Sequence, residues 1–371
     1  MSSSSPKPVS RLAFLDWTRG LAAVIMLQGH VTHSFMAKDL RDSGPYVLSQ
    51  FIGGITPAVF LFLTGVTLAF LMESRERQGV AALGRVNAAL RRAGYLATLA
   101  VLFRVQLWLF AYPLSPWQDL FKVDILNSMA LAVGVMSLFA VLNSHARIRA
   151  AALTGVAIAA AAPIVSSLNL SWLHPFLAHY FVPDLNGFSF FPWAAFVAFG
   201  VCFGSILRTV PQAELSRLMQ WGALAGMALV VGCHYAANMP YSLYEKSDFW
   251  LNSPALIFIK LGVILTITAF AYLWCLQPAV QRWSWVRQLG TTSLIVYWVH
   301  IELVYGRWFG FWKESLSVPK TAAVAVVVIA AMLALSLAQT RWKQSKVSLS
   351  DAIREFFAEA GLASRRRVSG D

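Results

Sequence analysis

The sequence predicts an all-α polytopic membrane protein with about ten transmembrane helices and with both termini in the cytoplasm. Of its 371 residues, 58% are hydrophobic and only 13% are charged, a balance that differs from that of soluble domains. Apolar stretches of about twenty residues, the length that crosses a bilayer as a helix, recur along the chain. Lysine and arginine concentrate in alternate loops, which is typical of multi-pass proteins.

The apolar periodicity gives the order of the predicted helices. Their bounds are 12–34, 48–72, 88–111, 123–143, 148–168, 189–208, 219–238, 254–276, 288–311 and 320–340. Together they form one transmembrane domain over 12–340, preceded by a cytoplasmic N-terminal segment, 1–11, and followed by a cytoplasmic tail, 341–371. In the tail, Ser348 starts a predicted amphipathic helix that we expect to lie on the inner leaflet.

The distribution of basic residues sets the predicted orientation. With a cytoplasmic N-terminus, 20 lysine and arginine residues fall on the cytoplasmic side and 6 on the outer side. The net charge of +13 is therefore explained by basic residues in the cytoplasmic loops, which set the topology and contact anionic membrane lipid. We therefore expect a multi-pass protein of the cell (inner) membrane, with no nucleic acid as a partner.

The first helix carries ionisable residues that a bilayer disfavours. Asp16, Arg19, His30 and His33 belong to it, although a charge near the bilayer centre costs about 2.5 kcal/mol or more unless it faces protein or water. Arg19 and His30 are almost three helical turns apart, so both project from one face, about 16 Å apart along the axis. The structural interpretation is an Asp16–Arg19 ion pair and a hydrogen-bonded histidine. The functional interpretation is a polar line across the membrane.

Polar residues of other predicted helices extend this line. Arg104 lies in the third helix, Asp124 and Asn127 open the fourth, and Tyr297 and His300 lie in the ninth. Each can also be explained as a hydrogen bond between helices. Their concentration in the outer halves of several helices favours one shared polar cavity. No metal is predicted, because neither the histidines nor the three cysteines show metal-ligand spacing.

These segments resemble two groups of membrane acyltransferases. The spacing from Arg19 to His30, within the sequence LDWTRGLAA that begins at Leu15, resembles the first-helix signature of the acyltransferase-3 type. The same segment is similar to the opening of bacterial relatives of heparan-alpha-glucosaminide N-acetyltransferase. The segments that extend this second resemblance over about residues 11–311 are PAVFLFLTG ending at Gly65, VDILN from Val123, FPW from Phe191 leading to Gly200 and Gly204, and LGTTSLIVYWVH ending at His300.

The resemblance implies transfer of an acyl group, usually acetyl from cytoplasmic acetyl-CoA, to a hydroxyl or amine at the outer face. The acceptor is expected to be a glycan, a glycolipid or a small metabolite. A guanidinium suits the phosphates of an acyl-CoA, so Arg19, oriented by Asp16, is the predicted donor-binding residue, with Arg104 adding a contact near the cytoplasm. A neutral imidazole suits the chemistry at neutral pH, so His30 is the predicted general base or, alternatively, the nucleophile that carries the acyl group.

The remaining candidates have supporting roles in this hypothesis. Asp124 and Asn127 orient the base or the acceptor, while Tyr297 and His300 line the cavity or donate to the thioester oxygen. His33 is the substitute for His30. The eukaryotic heparan-type enzymes have an asparagine where this chain has His30 and their essential histidine eleven residues further on, where this chain has Arg41.

A second hypothesis is a secondary transporter or lipid-linked exporter that uses the same polar line as a proton or substrate path. The sequence shows no internal repeat relating the first five helices to the last five, which disfavours this hypothesis. The identity of the acceptor, the length of the acyl chain and the oligomeric state stay open.

Overall fold

The computed structural model describes residues 13–170, 172–185 and 187–368, with side chains as far as residue 345. The N-terminal segment 1–11 and the side chains predicted to form the apolar face of the tail helix therefore lie outside the described residues. The last helix continues through residue 368 without a break between 340, the predicted end of the last span, and 341, the predicted start of the tail.

The described residues form a succession of α-helices. In chain order they are α1 Ala13–Phe35, α2 Gly44–Gly53, α3 Thr56–Arg77, α4 Ala82–Ala111, α5 Ile125–Met136, α6 Ser144–Ser167, α7 Pro175–Ala178, α8 Phe190–Thr209, α9 Leu215–Ala237, α10 Pro254–Cys275, α11 Pro278–Arg282, α12 Trp285–Thr291, α13 Ser293–Tyr305 and α14 Val318–Val368. Short 3-10 helices lie at Lys38–Leu40, Trp117–Phe121, Ser137–Val141, Gln212–Glu214 and Gly310–Trp312.

Eight helical segments of the described chain are long and apolar enough to cross a membrane. This confirms a polytopic helical membrane protein but does not confirm ten spans. The first predicted span is a helix of 23 residues, α1, but its ionisable and amide side chains make it too polar to qualify. The ninth predicted span does not qualify because it is broken into two shorter helices.

The break in the ninth predicted span lies at Thr292, between α12 and α13. Thr292 has a non-helical backbone conformation (φ −120°, ψ 19°), and its hydroxyl lies 2.5 Å from that of Ser336 on α14. α13 then ends at Tyr305, before the predicted end at 311. Arg307, expected inside the span, lies beyond the helix and donates hydrogen bonds to the carbonyl oxygens of Ala111 and Tyr112 at the end of α4.

Helix α1 lies at the centre of the molecule. It packs against α2, α3, α10, α12, α13 and α14, so protein surrounds most of its polar side chains, which reduces their cost in a membrane. At the crossing with α12, a Cβ on Gly20 would lie 1.8 Å from the Val286 carbonyl oxygen, and one on Gly290 would lie 1.8 Å from that of Asp16. The two backbones can approach this closely only because both positions are glycine.

Candidate functional site

Two histidines from different helices meet at the centre of the candidate site. The rings of His30 on α1 and His300 on α13 are nearly parallel, with 16° between their planes and centroids 5.1 Å apart, and Nδ1 of His30 lies 2.9 Å from Nε2 of His300. His300 is fully buried, whereas His30 is only partly buried. The pair therefore has an inner member enclosed by protein and an outer member with an accessible ring.

The hydrogen-bond partners fix the protonation pattern of the pair. Nδ1 of His300 lies 2.8 Å from the carbonyl oxygen of Val296, one turn earlier in α13. Since a carbonyl oxygen only accepts, this nitrogen carries the proton and Nε2 of neutral His300 is an acceptor. Nδ1 of His30 must then donate to it, so in the neutral pair Nε2 of His30 keeps its lone pair.

Two tyrosines of α13 flank the histidine pair. The Tyr297 ring lies 5.8 Å from that of His300 and 5.3 Å from that of Phe103 on α4, so it connects the pair to the next group of polar residues. The Tyr305 ring lies 5.4 Å from the His30 ring. Both tyrosines are aromatic walls of the site, and Tyr297 is one of the residues that the sequence singled out.

A second polar group joins α4 to the start of α5. Nε of Arg104 lies 3.1 Å from Oδ2 of Asp124, and both side chains are largely buried. Oδ1 of Asp124 caps α5 by accepting from the backbone N–H groups of Leu126 and Asn127, at 3.0 and 3.1 Å. The Asn127 Oδ1 accepts a 3.3 Å hydrogen bond from Tyr180, which adds the loop before α8 to the group.

The structure therefore groups Arg104 differently from the sequence hypothesis. Arg104 was expected to contact the donor together with Arg19, but its hydrogen-bonding group faces Asp124. The pairing depends on how α4 and α5 pack, which the sequence pattern of either helix alone does not reveal. As a result, Asp124 has Arg104 as a counter-ion at Oδ2 while its Oδ1 caps α5.

A third group lies near the other end of α1. Nη1 of Arg19 lies 2.9 Å from Oδ1 of Asp16, and the two side chains keep 21% and 29% of their surface exposed. Arg92 of α4 lies within electrostatic range of Arg19, and Arg287 of α12 lies within electrostatic range of Asp16. Arg19, Arg92 and Arg287 thus bring three positive charges to a region in which Asp16 supplies one negative charge. Sequence reasoning did not single out Arg287, because only packing brings α12 to α1.

His33 is not hydrogen-bonded to the histidine pair, although its ring lies 6.1 Å from that of Tyr305. Its Nδ1 lies 3.1 Å from the hydroxyl of Tyr46, at an exposed position. The adjacent loop is held by Glu314, which forms ion pairs with Lys38 at 2.8 Å and with Arg41 at 3.0 Å. Hydrogen bonds to the Lys38 ammonium and to Arg41 lower the pKa of the Glu314 carboxyl group below its ordinary value of 4.5. Arg41 thus has a charge-pairing role.

The described residues contain no group of three or more His, Cys, Asp or Glu side chains arranged to hold a metal ion. The candidate site is built from histidine, tyrosine, arginine and carboxylate groups. It contains a nitrogen base, a buried ion pair and a cluster of guanidinium groups.

A family model described as heparan-alpha-glucosaminide N-acetyltransferase, catalytic, matches residues 11–240. The match contains α1 with His30 and Arg19, and also the Arg104 and Asp124 pair. It ends before α10, so Tyr297 and His300 lie beyond the matched residues. No curated protein was found to match the chain.

Proposed function

Because this chain belongs to the heparan-alpha-glucosaminide N-acetyltransferase family of multi-pass membrane acetyltransferases, we propose that it transfers an acetyl group from cytoplasmic acetyl-CoA to a hydroxyl or amine of a glycan-like acceptor at the extracytoplasmic face. In this proposal the donor approaches from the Arg19 end of α1 and the acceptor from the His30 end. The predicted excess of basic residues on one side supports that orientation.

The observation that carries the proposal is the free lone pair on Nε2 of His30. His300 and the Val296 carbonyl hold the His30 proton on Nδ1, so the opposite nitrogen is ready to accept a proton from an attacking hydroxyl or amine. His30 keeps part of its surface exposed, as access by an acceptor requires. His300 uses both ring nitrogens in this chain of hydrogen bonds, so its proposed role is to position His30 and not to donate to the thioester oxygen.

The transfer step balances with His30 as the base. The acceptor oxygen or nitrogen attacks the thioester carbonyl carbon while its proton moves to Nε2 of His30. A new bond from the acetyl carbon to the acceptor forms and the carbon–sulfur bond breaks. His30 then returns the proton to the departing thiolate, so the residue ends the cycle neutral.

The guanidinium cluster supports the assignment of the donor end. Arg19 is oriented by its 2.9 Å hydrogen bond to Asp16, and Arg92 and Arg287 add positive charge nearby. Guanidinium groups bind phosphates with charge-assisted hydrogen bonds. The helical separation of Arg19 and His30, about 16 Å, suits a long donor whose anionic end and thioester lie at different depths.

The proposal is tested with the purified full chain in lipid nanodiscs, radiolabelled acetyl-CoA and glucosamine as the acceptor probe. We expect acetyl-CoA to bind, CoA to be released and labelled acetyl to appear on glucosamine. His30→Ala should reduce transfer by roughly 10²- to 10⁴-fold while acetyl-CoA still binds, and Arg19→Met should weaken acetyl-CoA binding.

Matched controls are available on the same chain. His145→Gln and Arg217→Met alter exposed residues away from α1 and should leave binding and transfer unchanged. If His30→Ala and Arg19→Met both behave like these controls, the proposed roles are wrong. If the folded protein binds no acetyl-CoA, the transferase proposal fails for this chain and the transporter hypothesis takes its place.

A further inference from the structure

The hydroxyl group of Tyr297 on α13 has no hydrogen-bond partner within the described residues. Its ring is held in place, because it packs against Phe103 of α4 and Leu126 of α5, and the residue keeps part of its surface exposed. By contrast, the hydroxyl of Tyr180 donates to Asn127. A tyrosine hydroxyl removed from water normally finds a partner, since leaving it without one is costly. Tyr297 therefore offers a donor that a bound molecule can use.

This hydroxyl is connected to the histidine pair by two routes. The Tyr297 ring meets the His300 ring edge-on, with centroids 5.8 Å apart, and His300 accepts the hydrogen bond of His30. The hydroxyl also lies within electrostatic range of Tyr305, whose ring is 5.4 Å from that of His30. Tyr297 and the base of the proposed reaction thus share the same two neighbours.

Tyr297 lies on the donor side of the histidine pair, the side from which the proposed function brings acetyl-CoA. Gly20 meets Gly290 and His30 meets His300, so α1 and the segment from α12 to α13 advance in the same direction. Tyr297 precedes His300 by three residues, which is about 4.5 Å along the axis and about 60° around it. A thioester that advances along α1 from the donor end therefore reaches the depth of Tyr297 before that of His30.

Tyr305, the other tyrosine near His30, lies on the opposite side of the pair. It follows His300 by five residues, about 7.5 Å along the axis. The ammonium group of Lys313 lies 5.6 Å from the centroid of its ring, and 39% of the residue is exposed. Its depth suits the acceptor, whereas the depth of Tyr297 suits the thioester.

The proposed reaction needs a hydrogen-bond donor that the histidine pair does not supply. Attack on a thioester places negative charge on its carbonyl oxygen, and a donor aimed at that oxygen lowers the barrier. Nε2 of His30 is the proton acceptor in this reaction, and both ring nitrogens of His300 are already engaged. A tyrosine hydroxyl carries its proton at neutral pH and donates one hydrogen bond, which is what the carbonyl oxygen requires.

We propose that the Tyr297 hydroxyl donates a hydrogen bond to the thioester carbonyl oxygen of acetyl-CoA and stabilises the negative charge that forms there. This inference rests on the proposed function and adds a second catalytic residue to His30. As the acceptor attacks, an electron pair of the carbonyl bond moves to its oxygen, while the Tyr297 proton stays on the phenol. When the carbonyl double bond forms again, the carbon–sulfur bond breaks and the thiolate takes the proton that His30 received.

The first test uses Tyr297→Phe, which removes the hydroxyl and keeps the ring against Phe103 and His300. With the full chain in nanodiscs and glucosamine as the acceptor, the turnover number should fall roughly 10²- to 10³-fold. The affinity for acetyl-CoA and the thermal midpoint should change little, because the hydrogen bond strengthens as the charge develops. Tyr235→Phe, at an exposed position of α9, is the matched control and should keep the turnover number of the parent.

Infrared spectroscopy of the bound donor gives a readout that a purely structural role would not change. Acetyl-CoA labelled with ¹³C at the thioester carbonyl is bound to the His30→Ala variant without an acceptor, so that no transfer occurs. We expect a lower carbonyl stretching frequency in this variant than in the double variant that also carries Tyr297→Phe, because the double variant lacks the hydrogen bond to the carbonyl oxygen.

Three results would overturn the inference. They are a turnover number of Tyr297→Phe equal to that of the parent, equal carbonyl frequencies with and without the hydroxyl, and weaker acetyl-CoA binding at an unchanged turnover number. If the parent transfers acetyl and Tyr297→Phe transfers it equally well, only this inference fails. If the parent binds no acetyl-CoA or transfers no acetyl group, the proposed function itself fails and the role of Tyr297 fails with it.

Discussion

His30 donates through Nδ1 to Nε2 of His300, at 2.9 Å, across the interface between α1 and α13. The direction of this hydrogen bond is set by a third group, the carbonyl oxygen of Val296, which occupies the other nitrogen of His300. The tautomer of a histidine on one helix is thus determined by the backbone of another helix. The predictions below follow from this relationship and from the contacts around it.

Replacing His300 should change the tautomer of His30. His300→Leu removes the acceptor for Nδ1, so His30 should populate both neutral tautomers, and the turnover number should fall roughly tenfold to a hundredfold with little change in acetyl-CoA affinity. His300→Gln supplies an acceptor oxygen and should recover part of the activity. The ¹⁵N shifts of labelled histidine, together with the pH profile of turnover, check the role. If the ¹⁵N shifts of His30 were unchanged in His300→Leu, His300 would not be the residue that sets the tautomer of His30.

The buried Arg104–Asp124 pair should be more important to stability than an exposed pair. Arg104→Met leaves Asp124 as an unpaired buried charge and should cost about 3–5 kcal/mol, seen as a lower thermal midpoint in one detergent. The double variant Arg104→Met with Asp124→Asn should recover much of the loss, since asparagine is neutral and still caps α5.

The control for this prediction is Lys122→Met, which breaks the exposed Lys122–Asp119 ion pair of 2.8 Å. It should change stability by less than about 1 kcal/mol. A double variant as unstable as Arg104→Met alone would contradict the explanation by an unpaired charge.

The glycine contact between α1 and α12 should tolerate no side chain. A Cβ on Gly290 would lie 1.8 Å from the Asp16 carbonyl oxygen, so Gly290→Ala must separate the helices and should destabilise the protein by at least about 1–3 kcal/mol. It should also weaken acetyl-CoA binding, because Asp16 orients Arg19. Gly222→Ala, where a Cβ meets no atom within 4 Å, should stabilise α9 by up to about 1 kcal/mol. Similar thermal midpoints for the two variants would argue against this close crossing.

Acidification should release the loop that Glu314 holds. Lys38 and Arg41 lower the pKa of Glu314 below 4.5, so the charged carboxylate stabilises the folded form. This contribution is fully present above pH 4.5 and is lost as the pH falls through the lowered pKa of the folded state. The thermal midpoint should therefore be higher for the parent than for Glu314→Gln at pH 7, with the difference shrinking below pH 4.5. If the difference in thermal midpoint between the parent and Glu314→Gln grew on acidification, the stabilising role of the charged Glu314 carboxylate would be contradicted.

The sequence predicted the helical membrane fold, and it selected the residues of α1 from which the candidate site is built. The length of an apolar segment and the spacing of charged residues within it are local properties of the sequence. They can therefore be recognised without knowing how the helices pack. The same reasoning predicted the Asp16–Arg19 ion pair, since residues three apart in a helix are neighbours. It also selected Tyr297 and His300, although it did not specify which nitrogen of His300 meets His30.

Only the tertiary structure decided the pairings between helices. The hydrogen bond from His30 to His300 joins residues 270 positions apart, and the partner of Arg104 follows from the packing of α4 on α5. The sequence did not predict the helix break at Thr292, because the apolar residues on both sides of it form one continuous span in a hydropathy pattern. The contact of the Thr292 hydroxyl with Ser336 joins two helices that are far apart in sequence. Hydropathy and spacing record what each helix contains, whereas hydrogen bonds between helices depend on their rotation and depth, which are set when the whole bundle packs.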